Sequence, residues 1–165
     1  MTNTANEFAR LDDKDRRILE HVQRDGSLAQ SEIARDVGLS TAAVNERLRK
    51  LEASGAIRRW AAIVDPAAVG AGVTAFVEVF MEHPRFEPAF LKRVLALDEV
   101  QECHHVTGEF SLLLKVRVAD MESLQELLLE QLGGHDGVRQ TRTVMALSTV
   151  KEETYVNPNV RGGDA

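Results

Sequence analysis

A three-residue turn, Gly38-Leu39-Ser40, dictates how the first third of this chain can fold. Glycine supplies the left-handed backbone that stops a helix, and serine is among the best residues to start one. A helix ending at Gly38 is therefore followed almost at once by another, set at a steep angle. The flanking pattern agrees. Ile33, Ala34 and Val37 form an apolar face before the turn, and Val44, Leu48 and Leu51, spaced four and three apart, form one after it. A helix that starts near Ser31 and one over Thr41–Leu51 are predicted. Upstream, Asp12 or Asp13 caps a helix to about Arg24 with Ile18, Leu19 and Val22 inward, ended by Asp25-Gly26. Ser54-Gly55 closes the third helix. Ile57–Val64 then reads as a strand, a small wing.

Three short helices are a weak signal by themselves, and charge sharpens it. The chain of 165 residues has a formal charge of −6, which alone speaks against nucleic acid. The charge is unevenly placed. Residues 10–62 carry 11 basic and 9 acidic side chains, and residues 63–165 carry 9 and 16. Over 47–59, Arg47, Arg49, Lys50, Arg58 and Arg59 stand against Glu52 alone. A helix-turn-helix puts its second helix in the major groove, where the first residues meet base edges. Here those are Ser40, Thr41, Ala42, Ala43 and Asn45. Alanine methyls suit thymine methyls and Asn pairs with adenine, while Arg47, Arg49, Lys50 and Arg58 are placed to reach phosphates. The alternative is a solvated basic face on a helical mini-bundle. The turn, the small residues opening the helix and the local positive charge together favour double-stranded DNA as partner.

The composition breaks at Asp65-Pro66 and Gly70-Ala71-Gly72. Beyond it, Val73–Phe80 alternates as a strand. Phe86, Phe90, Val94 and Leu97 keep helical spacing. Val100–Val106 and Ser111–Val118 are strand candidates about the turn at Gly108-Glu109. Asp120 caps a helix with Leu124, Leu127, Leu128 and Leu132 inward, ended by Gly133-Gly134. Val138–Val150 is a last strand. The order βαββαβ is the ferredoxin-like arrangement. Two helices cover one face of such a sheet, and Phe76, Met145 and Leu147 divide between the faces, so a second subunit is expected over the other. The expected class is α+β: a winged helix-turn-helix domain over 9–62, a hinge over 63–71, a ferredoxin-like domain over 72–151 and a tail over 152–165. The first eight residues and 157–165 read as frayed ends.

Other chemistry finds little support. One cysteine, Cys103, precludes an internal disulfide and suits a reducing cytoplasm. There is no apolar run of membrane-spanning length and no basic-then-apolar leader, so no membrane partner is expected. Cys103, His104 and His105 invite a metal, but adjacent strand residues face opposite ways, and the Cys103–His105 pair falls short of a closed site. Neither metal nor cofactor is expected. No nucleophile-and-base set or phosphate-binding loop is present, so no enzyme is expected. Leu124, Leu127 and Leu128 are too few for a zipper. Trp60 is expected to pack at the hinge.

At this point the residues resemble the Lrp/AsnC (feast/famine) family of bacterial and archaeal transcription regulators, over about 11–151. The resemblance is carried by Leu11–Leu19, by Gly38-Leu39-Ser40 through Arg47, by Leu51-Glu52-Ala53-Ser54-Gly55-Ala56-Ile57, by Glu102-Cys103-His104-His105-Val106-Thr107-Gly108, and by Gly137-Val138 with Thr141-Arg142-Thr143. It implies a winged helix-turn-helix domain, a hinge, a ligand-sensing domain, homodimers assembling into octamers, and amino-acid effectors held in clefts between dimers. By the same resemblance the cleft is lined by Thr107, Gly108, Glu109, Phe110 and Ser111, with Asp136, Gly137, Val138 and Thr141 from around the last strand. Gly108 also admits a close backbone approach to a ligand, although a plain hairpin turn needs no ligand to explain it. Family members commonly carry Asp at the positions of Glu109 and Ser111, and this sequence departs at both. Two other readings share the scaffold. One is an enzyme similar to the sirohaem decarboxylases, which would need His placed for a tetrapyrrole. The other is an effector-independent DNA-binding or assembly protein.

Overall fold

The computed structural model describes residues 11–159. The chain forms two compact units. One runs to Ile63 and takes up the chain again from Lys151, and the other is Val64–Val150. The frayed ends expected before Leu11 and after Asn159, and the expected domain start at residue 9, lie outside the described residues.

The first unit holds α1 (Asp13–Arg24), α2 (Gln30–Val37) and α3 (Thr41–Ala53). Each boundary has a local cause. The Asp12 carboxylate caps α1, accepting the Asp15 N–H. Gly38 ends α2 in the left-handed region (φ +67°), which spares a β-carbon the strain of that turn. The Ser40 hydroxyl accepts the Ala43 N–H and starts α3. Ile18, Leu19, Ile33, Ala34, Val37, Val44, Leu48 and Leu51 form one buried cluster.

Two expectations for this unit need correction. Ile57–Val64 forms no ladder. Among the described residues of the unit no antiparallel partner is supplied for it, and an isolated strand leaves its backbone groups to water. Trp60 does not pack at the hinge. Its Nε1–H donates to Glu52 at 2.5 Å, and its ring lies beside Gly26.

The second unit opens with a single 3₁₀ turn, Ala67–Val69. It then carries β1 (Val73–Met81), a 3₁₀ turn (Pro84–Phe86), α4 (Glu87–Val94), β2 (Val100–His105), β3 (Leu112–Val118), α5 (Met121–Glu126) and β4 (Val138–Met145). The sheet is antiparallel with order β2-β3-β1-β4. This is the expected split βαβ arrangement. Ala75, Val77 and Val79 of β1 and Leu112, Leu114, Val116 and Val118 of β3 pack with Phe90, Val94, Leu124, Leu127 and Leu132. On the other face Phe76 stands opposite Val144, and Glu78 opposite Arg142 with their charges 3.1 Å apart. Phe76 and Val144 are exposed there.

Several boundaries differ from expectation. The helix expected over 86–97 is α over Glu87–Val94 only. After Asp120, whose carboxylate accepts the Ser123 N–H, α5 passes at Leu127 into a π-helical segment, Leu127–Gly133. Leu124, Leu127 and Leu132 are buried as their spacing predicted, Leu128 packs against the same core, and Leu129 is exposed. The π-helical backbone is what the spacing did not announce. A side chain at Gly133 would stand 2.7 Å from the Leu128 carbonyl oxygen. Strand β4 stops at Met145 rather than Val150, where β1 ends as a partner at Ala75, and Leu147 is fully exposed. The tail is not frayed throughout: Val156, Pro158 and Asn159 are hydrogen-bonded to α1.

Candidate nucleic-acid interface and effector region

The position of α3 is set by a carboxylate pair at the start of α1. Asp12 and Asp15 form a reciprocal capping box. Asp12 Oδ1 accepts the Asp15 N–H (2.8 Å), and Asp15 Oδ2 accepts the Asp12 N–H (3.1 Å). The two remaining oxygens accept from one atom, Arg47 Nη1, at 2.7 Å (Asp12 Oδ2) and 2.6 Å (Asp15 Oδ1). All four carboxylate oxygens are thus engaged, and α3 is tied to the N-terminus of α1. The Asp12 carboxyl is held below its ordinary range, first by the Asp15 N–H and then by Arg47, against opposing desolvation. The Arg47 guanidinium is held more firmly protonated by the same hydrogen bonds.

Arg47 was expected to reach phosphate. The structure commits its guanidinium within the unit, leaving the side chain only 30% exposed. The sequence shows acid at 12 and 15 and base at 47, but only folding brings these groups together. A second tie joins α1 to α2. Asp36 Oδ2 meets Arg17 Nη2 and His21 Nε2, each at 2.8 Å. Lys14 Nζ also donates to the Val37 carbonyl at the C-terminus of α2.

With Val44, Leu48 and Leu51 buried, α3 turns its opening residues outward. Ser40, Thr41 and Ala42 are exposed, and Ala43 and Asn45 half-buried. Arg49 and Lys50 are exposed, each with only a long contact to Glu46, at 3.7 and 3.6 Å. Arg58 is exposed just past the helix. This surface pairs small groups of base-reading size at one end with exposed cations further along.

The expected effector residues fall at one end of the sheet. Because β3 and β4 both run antiparallel to β1, both begin where β1 ends, with Leu112 and Thr141 on either side of Val79. The Ser111 N–H donates to the Val79 carbonyl (2.9 Å), and the Ser111 carbonyl accepts from Val106. Gly108 has φ +134°, a backbone that side chains avoid, while Thr107 and Glu109 are exposed beside it. Phe110 tilts against Phe80 at 5.9 Å between centroids, and the Arg139 and Arg142 guanidinium groups lie over the same Phe80 ring at 5.7 and 5.5 Å. Phe80, Arg139 and Arg142 were not picked out as effector residues. The alternation of β1 marked Phe80 only as a strand residue.

Asp136 is exposed, and Val138 and Thr141 half-buried. Gly137 has φ +86°, and a β-carbon there would come within 2.2 Å of Phe86. Its carbonyl accepts the Glu82 N–H (2.8 Å). The need for glycine at 137 is therefore met by packing.

The histidines on β2 face opposite ways. His104 Nε2 meets Glu102 (3.1 Å), and His105 Nε2 meets Glu87 (2.7 Å). Glu102 is held below its usual range, first by His104 and then by Lys115. Burial pushes the Cys103 thiol up. Among the described residues no group of three or more His, Cys, Asp and Glu converges as a metal site would.

Comparison with known proteins covers both units. Residues 11–58 match the winged helix-turn-helix DNA-binding family, and residues 74–156 the Lrp/AsnC ligand binding domain. The leucine-responsive regulatory proteins of Escherichia coli and Klebsiella pneumoniae are 40% identical over 144 residues, covering 86% of this chain and 88% of theirs. Among solved structures, a transcriptional regulator of Neisseria meningitidis in complex with L-Met superposes with a TM-score of 0.86 at 31% identity, over 90% of this chain and 97% of that one. A feast or famine regulatory protein of M. tuberculosis complexed with L-methionine gives 0.82 at 34%, over 90% and 99%. Escherichia coli AsnC gives 0.83 at 27%, over 89% and 99%. With a helix-turn-helix whose second helix turns small residues and cations outward, a split βαβ sheet later in the chain, and both family matches in order, this chain belongs to the Lrp/AsnC family of DNA-binding transcription regulators.

Proposed function

We propose that the chain reads DNA through α3 as a homodimer and adjusts that reading to a small amino-acid effector. The observation that carries this is the outward face of α3. Thr41 and Ala42 are fully presented on a helix held from behind by three buried apolar residues and the Arg47 clamp. Ser40, Thr41, Ala42, Ala43 and Asn45 then meet base edges, and Arg49, Lys50 and Arg58 the phosphates. Arg47 acts as a positioning residue. Two copies set their recognition helices about one helical turn of DNA apart on a pseudo-palindromic site.

The exposed pair Phe76 and Val144 supports a dimer through the open face of the sheet. The effector is assigned to Thr107–Ser111 with Asp136, Gly137, Val138 and Thr141, at the end of β1. Two structural neighbours are complexes with methionine, which supports an amino acid as its class. The departures at Glu109 and Ser111 argue for a side-chain preference of its own. Assembly of dimers into octamers, action in the cytoplasm and absence of catalysis complete the reading. Gel shift with the chain's own upstream DNA tests the first part, and a thermal-shift screen of the twenty amino acids the second. A ligand at 100 times its Kd stabilises by about 2.7 kcal/mol. Silence across all twenty refutes the amino-acid assignment, and no shifted band refutes DNA reading at that site.

A further inference from the structure

The C-terminal segment of this chain is seated on α1. Gln23 reads both backbone groups of Val156: its Nε2 donates to the Val156 carbonyl (2.9 Å) and its Oε1 accepts the Val156 N–H (2.8 Å). A neighbouring strand would satisfy an extended peptide in the same way. Around this pair, Arg16 Nη1 donates to the Pro158 carbonyl, Asn159 Nδ2 donates to Glu20 Oε1 (2.5 Å), and the Arg24 guanidinium lies 5.5 Å from the Tyr155 ring centre. Arg16, Glu20, Gln23 and Arg24 share one helical face. It is the face turned away from Ile18 and Leu19, which are buried. Asn157 tightens the end of the segment by accepting the Asn159 N–H (2.9 Å).

We propose that this outward face of α1 is a docking site for the chain's own C-terminal segment, and that the docked segment is a second tether on the DNA-binding unit. The first tether is the chain after Ile63. The second leaves β4 at Met145 and grips α1 from Tyr155, so only residues 146–154 separate the last strand of the sheet from the grip. β4 begins among the residues assigned to the effector, and α1 holds α3 through the Asp12–Asp15–Arg47 clamp. A shift of β4 on effector binding thus has a short covalent route to the reading helix. This last step rests on the effector reading above; the docking does not.

The test uses the full chain without DNA first. Hydrogen exchange should show the Val156 amide protected in the wild type. Gln23→Ala should speed it about tenfold, as expected for two hydrogen bonds of ordinary strength, and Tyr155→Ala should do likewise. Both should hasten tryptic cutting after Lys151, and Gln23→Ala should also hasten chymotryptic cutting after Tyr155, while far-ultraviolet dichroism stays unchanged because the altered side chains lie outside the core. Val156 exchanging at the free-peptide rate in the wild type, or indifferent to Gln23→Ala, overturns the docking. Next, DNA affinity is measured with and without the amino acid that the thermal-shift screen identifies. Gln23→Ala should keep the affinity of the free protein and lose most of the effector-induced change. A fully retained change overturns the tether's role, and a failure of the wild type to respond at all falls on the effector reading instead.

Discussion

Replacing Arg47 by alanine separates a positioning role from a phosphate contact. The substitution removes two charge-assisted hydrogen bonds of 2.7 and 2.6 Å and leaves two carboxylates facing each other without a counter-charge. Hydrogen bonds to charged groups contribute about 1.5–3 kcal/mol when enclosed. Asp12 is half exposed, so its share is discounted towards that of a surface pair, whereas Asp15 is only 17% exposed. The capping box itself survives. The expected loss is about 1–2 kcal/mol for the pair of contacts. In a unit of this size that lowers Tm by roughly 5–10 °C, read by calorimetry or dichroism.

Acid sensitivity gives the sign. The Asp12 pKa is lowered on folding from 3.8, so its contribution is complete above that value and is lost as pH falls through the lower folded value. Arg47→Ala should therefore reduce stability near neutrality more than at the acid end of this window. In DNA binding, the dependence of log affinity on log salt should keep its slope in Arg47→Ala and fall by about one in Arg49→Ala, because only the latter cation is free to displace counterions. A variant with unchanged Tm and a slope reduced by about one would show that Arg47 reaches phosphate and refute the clamp.

Three further outcomes follow from particular contacts. Gly137→Ala meets both a positive φ and the Phe86 ring, and should cost about 2–4 kcal/mol in urea unfolding, against about 1 kcal/mol for Gly55→Ala, where φ is +77° but the space is open. Equal losses would mean the Phe86 contact relaxes freely. Phe76→Asp places a charge on the open sheet face and should give a monomer in light scattering where the wild type gives the proposed dimer, with the dichroism of the fold retained; a mass equal to the wild type's would refute an interface through this face. Phe110→Ala removes the ring contact with Phe80, worth about 0.5–1.5 kcal/mol beyond burial, and should weaken the thermal shift given by the effector more than it lowers the free protein's Tm. A shift as large as the wild type's would detach Phe110 from the effector site.

Much of this protein was legible in the chain because its signals are local. Asp12, Gly38, Ser40 and Asp120 mark element ends through bonds that span at most a few residues, and the apolar periods of α1, α3, β1 and β3 select their buried faces whatever the partner. The order of elements then leaves few ways to build the sheet. What the periods could not show depends on groups far apart in sequence. Arg47 reads as one cation among several until Asp12 and Asp15 come to meet it. Gly137 reads as a loop glycine until Phe86 occupies its side-chain space. The inward set Leu124, Leu127, Leu128 and Leu132 is met, but the π-helical form of the turn that carries it left no mark in the spacing. The polar tail from Tyr155 reads as an unattached end until α1 supplies Gln23 as its strand-like partner. Sequence by itself determined the two units and the second helix of the helix-turn-helix, since propensity, capping and periodicity act within a few residues. Only the tertiary structure decided which cation clamps that helix and where the chain's end is held, since both require charges and hydrogen-bonding groups that meet only after the backbone has folded.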